Sequence, residues 1–340
     1  MIKEAISELV NRQDLSEETV EAVMQEVMSG NATPAQIGSY LTAFAMKGET
    51  IPEITACAKT LQQFMTKFEH DVPVLEIVGT GGDRAKTVNI STMASFVTAA
   101  CGVNVAKHGN RAASSQCGTA DCLEYMGVDL LLDPAKNKEI LEKTGFCFLF
   151  AQKYHPAMRF VGGVRKEIGF PTIFNCLGPI CNPAIPEYQL LGVYKESLVE
   201  PLAHVLHNLG VGSGMVVFGL DVLDEISISA PTKVCEFVGD EFSTYEITPE
   251  QFGIARGLKS DLVGGDPAHN AAVLKSILKG EKTGPQRDAV VLNAGAAVHI
   301  VKGVSIEEGV RQANEAIDSG RAYAKFEQYM EAMEQAKVEA

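Results

Sequence analysis

Between Val74 and Met126 the chain passes twice through the same series of signals: an apolar run, a polar glycine-bearing turn and a helix start. The first run, Val74-Leu75-Glu76-Ile77-Val78, stops at Gly79-Thr80-Gly81-Gly82-Asp83 and reads as a buried strand of a parallel sheet. Glycines there permit backbone angles that a side chain forbids, so main-chain N–H groups can close on a ligand. Asn89-Ile90-Ser91-Thr92 then opens an apolar helix that reaches Cys101. Asn, Ser and Thr at a helix start leave N–H groups and hydroxyls that suit a phosphate. The second unit reads as strand Val103-Asn104-Val105-Ala106, a turn from Lys107 to Gly118, and a helix from Thr119 to Met126. Ligands of open α/β sheets sit at the carboxyl ends of strands, so neighbouring strands aim both turns at one crevice. No Walker pattern is present, and Gly79-Thr80-Gly81-Gly82-Asp83 is not G-x-G-x-x-G.

The fold class expected is α/β, with a small all-helical N-terminal domain and a large domain around a mainly parallel central sheet. Residues 1–70 read as helices alone. Asp14-Leu15-Ser16-Glu17, Thr33-Pro34-Ala35-Gln36 and Thr50-Ile51-Pro52-Glu53 resemble capping boxes, and Gly30 and Gly48 punctuate helix ends. His70-Asp71-Val72-Pro73 is the expected linker into residues 71–340, the ligand-binding domain. Asp129-Leu130-Leu131-Leu132, Phe146–Phe150, Tyr188–Tyr194 and Met215–Phe218 read as further strands, with helices over 135–144 and 198–209 between them. Residues 175–186 are rich in Gly, Pro and Asn and read as a crossing segment. The carboxyl-terminal part reads as an apolar helix over 289–298 and one charged helix from Ser305 to near Ala336. Gly295 in its Ala-rich run points to close helix packing.

A formal charge of −14 argues against a nucleic-acid surface, and no Lys/Arg block offsets it. An acidic protein that takes a polyanion needs local cations or a metal, which directs attention to Lys107, Arg111 and the pair Asp224-Glu225. The eight cysteines lie mostly in apolar runs with no CxxC spacing, and read as reduced core thiols of a cytoplasmic protein. The charged start Met1–Val10 is not a signal peptide, and no apolar stretch approaches the ~20 residues that span a bilayer. His204 and His207 share a helix at i, i+3, but no third ligand stands near, so they read as surface histidines.

The two turns closely resemble those of the anthranilate phosphoribosyltransferases, tryptophan-pathway enzymes of the class III phosphoribosyltransferase fold. The match continues in order through Tyr154-His155-Pro156-Ala157-Met158, Thr172-Ile173-Phe174-Asn175, Leu223-Asp224-Glu225-Ile226-Ser227 and Leu292-Asn293-Ala294-Gly295-Ala296-Ala297. The resemblance implies attack of the anthranilate amine on C1 of 5-phosphoribosyl 1-diphosphate, with diphosphate leaving. It places the phosphoribosyl-diphosphate ligands on Gly79, Gly82, Asp83, Thr87, Asn89, Ser91, Thr92, Lys107 and Thr119. Anthranilate falls to Gly79, His108, Asn110 and Arg165, whose guanidinium can hold a carboxylate in a fork. Magnesium, as two ions with the diphosphate substrate, falls to Ser91, Asp224 and Glu225. The resemblance also implies a homodimer formed through the helical domain, with neither nucleic acid nor membrane as partner.

The chain departs from the family pattern in three places. Gln116-Cys117 stands where Lys-Ser is common, Thr119 replaces a usual Ser, and Phe170-Pro171 lacks the basic residue that often precedes Thr-Ile-Phe-Asn. Two rival readings meet objections in the residues. A pyrimidine or thymidine phosphorylase needs a Lys-x-Ser-x-Gly-Gly-like turn, unlike Lys107-His108-Gly109-Asn110-Arg111. A catalytically dead, nucleic-acid-binding paralogue needs a basic surface and no Asp-Glu pair.

Overall fold

The computed structural model describes residues 1–112 and 116–338. Ala113-Ser114-Ser115 of the second turn lie outside the described residues. Four helices come first: α1 (Ile2–Val10), α2 (Glu17–Met28), α3 (Pro34–Lys47) and α4 (Ile51–Gln63). Thr33 and Thr50 close reciprocal capping boxes with Gln36 and Glu53, and proline in the first turn of each helix gives up no needed N–H. At α2 the cap is Ser16, which accepts the Thr19 amide at 3.2 Å. Asp14 instead pairs with Lys47 at 2.6 Å.

The chain then alternates between strands and helices. In order come β1 (Leu75–Gly79), α5 (Ile90–Ala100), β2 (Val105–Gly109), α6 (Thr119–Tyr125), α7 (Pro134–Thr144) and β3 (Phe146–Phe150). The short helices α8 (Ala151–Tyr154), α9 (Arg159–Ile168) and α10 (Phe174–Ile180) precede β4 (Tyr188–Gly192), α11 (Val199–Asn208) and β5 (Ser213–Gly219). A hairpin, β6 (Thr232–Val238) and β7 (Glu241–Ile247), is followed by α12 (Pro267–Leu278), α13 (Pro285–Lys302), α14 (Ile306–Asp318) and α15 (Arg321–Val338). The sheet has the order β3-β2-β1-β4-β5-β6-β7, parallel through β5 and antiparallel beyond it.

One face of the sheet is covered by α5 and the carboxyl-terminal helices, whose aliphatic side chains form one continuous core with Phe96, Phe146 and Tyr329. The opposite face carries α10 and α11 together with α1–α4, so the helical layer shares its core with the sheet. Gly295 and Gly309 let α13 and α14 touch at backbone distance: a Cβ on Gly309 would lie 2.1 Å from the Gly295 carbonyl oxygen.

Besides the cap at Ser16, the structure corrects the sequence reading in further places. The expected crossing segment 175–186 opens with helix α10, which carries Pro179 within it. Residues 129–132 form a turn, because Asp133 and Pro134 already cap α7. The second strand continues through Lys107 and His108 to Gly109. The hairpin β6–β7 is additional. The charged carboxyl-terminal helix is two helices, separated at Ser319-Gly320, where Gly320 has φ 77°.

Candidate active site

Three turns meet at the carboxyl ends of β1, β2 and β5. In the first, Gly81 and Gly82 take φ of 67° and 87°, and Arg84 and Lys86 also enter the left-handed region. This conformation is held from outside. The Val88 amide donates to Leu262 O at 2.8 Å, and the Gly264 amide to Lys86 O at 2.9 Å. Asn270 donates from Nδ2 to Asn89 Oδ1 at 3.0 Å and accepts the Gly265 amide at 2.8 Å. Asn89 in turn donates to Cys117 O at 3.2 Å, and Thr92 meets Thr119 hydroxyl to hydroxyl at 3.0 Å. The first two turns are therefore tied to each other through Asn89, Thr92 and Thr119.

The third turn, 220–229, enters only because two registered strand residues lack side chains. Gly79 of β1 pairs with Gly192 of β4. A Cβ on Gly192 would lie 1.7 Å from Asp224 O, and one on Gly79 would lie 2.3 Å from Asp224 Oδ2. Asp224 consequently rests on the sheet and accepts the Gly81 amide at 2.6 Å. Asn293 of α13 clamps the next residues: it accepts the Ile226 amide at 3.0 Å and donates to Ile226 O at 3.1 Å. Its role cannot be read from an Ala-rich helix run without the partner turn.

Charge collects where these turns meet. Asp224 and Glu225 are buried, each 9% exposed. Burial and the neighbouring Asp83 and Glu225 hold the Asp224 carboxyl well above the usual carboxylate range. Burial pushes Glu225 up to about 7, with Lys107 and Ser91 pulling it back. Lys107, 1% exposed, donates from Nζ to Ile77 O at 2.6 Å and to Ser91 Oγ at 3.2 Å. Asp83 uses Oδ1 for the Ala85 amide, while Oδ2 is buried without a protein partner. Among the described residues no three His, Cys, Asp or Glu side chains form a cage able to hold an ion by themselves. A cation shared with substrate oxygens fits better: Mg²⁺ favours one or two carboxylates plus phosphate oxygens and water. Ser91, Asp224 and Glu225 lie together, the set the resemblance implies, and Asp83 joins them.

On the other side of β2 the second turn folds back on itself. Asp121 accepts the amides of Ala112 and Gly118 at 2.8 and 2.9 Å. Arg111 is engaged by Glu124 at 2.6 Å and Asp121 at 3.2 Å, so its charge is largely neutralised within the turn. Asn110 is exposed at the turn's edge, within 3.4 Å of Gln152 Nε2. His108 lies 5.1 Å from His155, ring centre to ring centre. Nε2 of His108 and both ring nitrogens of His155 are buried without a protein partner. Burial drives both imidazoles toward the neutral form, His155 to about 4. Arg165 of α9 is half-buried, with its guanidinium 5.4 Å from the centre of the Phe174 ring. Among the described residues no carboxylate lies within ion-pair distance of it. A desolvated guanidinium beside an aromatic ring and lacking an anion is chemically matched to an aromatic carboxylate.

Elsewhere, His204 stacks on Phe242 and His207 meets Asp240 at 3.0 Å, an ordinary surface arrangement. All eight cysteines are buried and unbridged. No single helix among the described residues is long and apolar enough to cross a membrane. The pair α13 and α14 passes that test by composition, but it is bent by 119° and its apolar residues line the core.

Comparison with known proteins identifies the family. Residues 3–65 match the helical bundle domain of a glycosyl transferase family, and residues 71–323 match its a/b domain. The anthranilate phosphoribosyltransferase of Methanobrevibacter smithii is 54% identical over 332 residues, covering 97% of this chain and 99% of that protein. The crystal structure of the Thermus thermophilus anthranilate phosphoribosyltransferase superposes with a TM-score of 0.91 at 42% identity, covering 97% of this chain and 99% of that one. The Saccharomyces cerevisiae enzyme in complex with PRPP and Mg gives 0.91 at 26% identity, covering 98% of each chain. With both parts of the family matched in order and relatives this similar over their whole length, the chain belongs to the anthranilate phosphoribosyltransferases.

Proposed function

We propose that the chain transfers the phosphoribosyl group of 5-phospho-α-D-ribose 1-diphosphate to the amine of anthranilate, releasing diphosphate, in tryptophan biosynthesis. The observation that carries this reading is the convergence of three turns on Asp83, Asp224, Glu225, Ser91 and Lys107. The neutral His108–His155 pair and the Arg165 guanidinium, which has no carboxylate within ion-pair distance among the described residues, support it. The amine of anthranilate is already neutral at pH 7, so no strong base is needed. The barrier lies in expelling a polyanion while positive charge grows on the ribose, which makes electrostatic positioning the dominant contribution.

The donor lies on the first turn and the facing helix starts, with Gly79, Gly82, Asp83, Thr87, Asn89, Ser91, Thr92, Lys107 and Thr119 as its ligands. Magnesium, as two ions, is held through Ser91, Asp224 and Glu225, and supplies neutralisation of the diphosphate. Without such a cation the clustered carboxylates would repel the donor. Anthranilate occupies the side of His108, Asn110 and Arg165, close to Gly79, with its carboxylate on Arg165. Neutral imidazoles at His108 and His155 bring no cationic charge beside the incoming amine. The protein is a cytoplasmic homodimer that associates through the helical residues 1–70.

Loss of anthranilate fluorescence on adding phosphoribosyl diphosphate and Mg²⁺ tests the reading. Uracil and thymine with ribose donors serve as controls. Turnover of either pyrimidine in place of anthranilate would overturn it.

A further inference from the structure

The hydrogen-bond ladder between β1 and β2 ends at its first pair. Among the described residues, β1 pairs with β2 only at Leu75 with Val105, yet it pairs with β4 from Leu75 to Gly79. β2 likewise pairs with β3 from Val105 to Gly109. Alternate residues of a parallel strand turn their backbone groups to alternate neighbours. The Leu75 amide donates toward β2, to Asn104 O at 2.9 Å, so Ile77 has the same facing, as do Ala106 and His108 toward β1. Side chains occupy the places of those absent rungs. The His108 amide donates to Glu76 Oε2 at 2.9 Å. Lys107 Nζ donates to Ile77 O at 2.6 Å, and Asn182 Nδ2 donates to Ala106 O at 2.8 Å. Asn182 also donates to Glu76 Oε2 and accepts the Ala184 amide at 2.8 Å, joining this gap to the crossing segment.

A plain rung would satisfy the same backbone groups without burying a carboxyl group and an ammonium, which is costly. Glu76 is 0% exposed and Asn182 1% exposed. The arrangement gives stability nothing that a continuous ladder would not, but it puts side chains in place of rungs between the ends of β1 and β2. Those ends carry the two turns. Lys107 and His108 stand on the part of β2 beyond the last rung to β1, one hydrogen-bonded to Ser91 and the other against His155.

We propose that Glu76 is a positioning residue for both substrate pockets: its carboxyl group takes the place of a rung, fixes the end of β2 against β1, and so sets where Lys107 and His108 stand. The proposal rests on the donor and anthranilate assignments made above. It separates Glu76 from residues that serve one pocket. Gln keeps an oxygen acceptor for the His108 and Asn182 donors, whereas Ala removes it.

The test is steady-state kinetics of Glu76→Ala and Glu76→Gln, with Lys107→Ala and Arg165→Ala as controls and a thermal melt for each variant. In folded Glu76→Ala the KM values of donor and anthranilate rise together by about tenfold or more, and Gln restores both to within about threefold. Lys107→Ala raises the donor KM alone, and Arg165→Ala the anthranilate KM alone. If Glu76→Ala does not fold, Glu76→Gln combined with Asn182→Ala takes its place, with the same joint rise expected. Both KM values within about twofold of the parent, or a rise in one alone, would overturn the proposal. Controls that move in that case leave the site assignment standing, and controls that do not move locate the failure in the assignment itself.

Discussion

Between β1 and β2 the backbone rungs give way to side chains after Leu75, whereas at the other end of the sheet β5 and β6 are paired at every residue from Ser213 with Val238 to Gly219 with Thr232. The polar groups differ in the same way. Near β6, Glu236 accepts from Tyr245 at 2.5 Å and meets His299 at 2.8 Å, so its carboxylate oxygens and the neighbouring ring are satisfied inside the protein. Near β1 and β2, one oxygen each of Glu76 (Oε1) and Asp83 (Oδ2), Nε2 of His108 and both ring nitrogens of His155 are buried without protein partners. Buried polar groups are normally satisfied, so a concentration of orphans marks where a ligand completes the hydrogen bonding. One end of the sheet is finished and carries stability. The other is left open for substrate.

Glycine substitutions test that difference most severely. Gly192→Ala puts a Cβ against Asp224 O, displacing the third turn, and turnover is expected to fall by about a hundredfold or more while the protein still folds. Gly214→Ala, in β5, meets Gln189 O and the Phe237 ring at 2.8 and 3.0 Å. It is expected to cost about 1–3 kcal/mol of stability and leave kcat/KM of the folded fraction unchanged. Equal kinetic losses for the two would erase the distinction between the ends.

Arg165→Ala comes next. Losing a charged hydrogen-bond partner typically costs ~1.5–3 kcal/mol, so the anthranilate KM should rise by about ten- to a hundredfold with the donor KM little changed. A rise in the donor KM alone would move Arg165 out of the acceptor pocket.

The legibility of the sequence follows the same division. The first turn, the helix start at Ser91 and the Asp224-Glu225 pair were visible because glycines, caps and carboxylates after apolar runs are local signals. Lys107 and His108 were singled out as candidates, His108 only through the resemblance, and neither was legible as strand, because burial of their polar groups depends on Ile77, Glu76 and Ser91 in other elements. Glu76 looks like an interruption in an apolar run, and its partner Asn182 lies 106 positions away. The hairpin β6–β7 had a signal in its alternating residues and the Gly239-Asp240 turn, weaker than an apolar run because half of its residues face solvent. Leu130-Leu131-Leu132 shows the reverse error, an apolar stretch that buries Leu130 and Leu132 without joining a ladder.

The smallest expected effect lies at the finished end. The Glu236 partner raises the His299 pKa above its ordinary 6.5, and His299 in turn lowers that of Glu236 below 4.5. Stability from the raised histidine is present below pH 6.5 and is lost as pH rises through its folded pKa. Stability from the lowered carboxylate is present above pH 4.5 and is lost as pH falls through its folded pKa. Both contributions are present together between those ordinary values. The melting-temperature difference between the parent and Glu236→Gln should therefore be largest near pH 5–6, corresponding to about 1 kcal/mol, and shrink at higher pH without a change in kcat. A difference that grows toward pH 9 would remove the ion pair from the explanation.

The Mg²⁺ requirement of Asp224→Asn/Glu225→Gln tests the open end most directly. The expected result is a half-saturating Mg²⁺ concentration raised by about tenfold or more for both turnover and equilibrium binding of phosphoribosyl diphosphate. The melting temperature of the ligand-free protein should be unchanged or higher, because two buried, mutually repelling carboxyl groups are gone. A folded double variant with the parent's Mg²⁺ dependence in both assays would contradict the assignment of the cation to this pair.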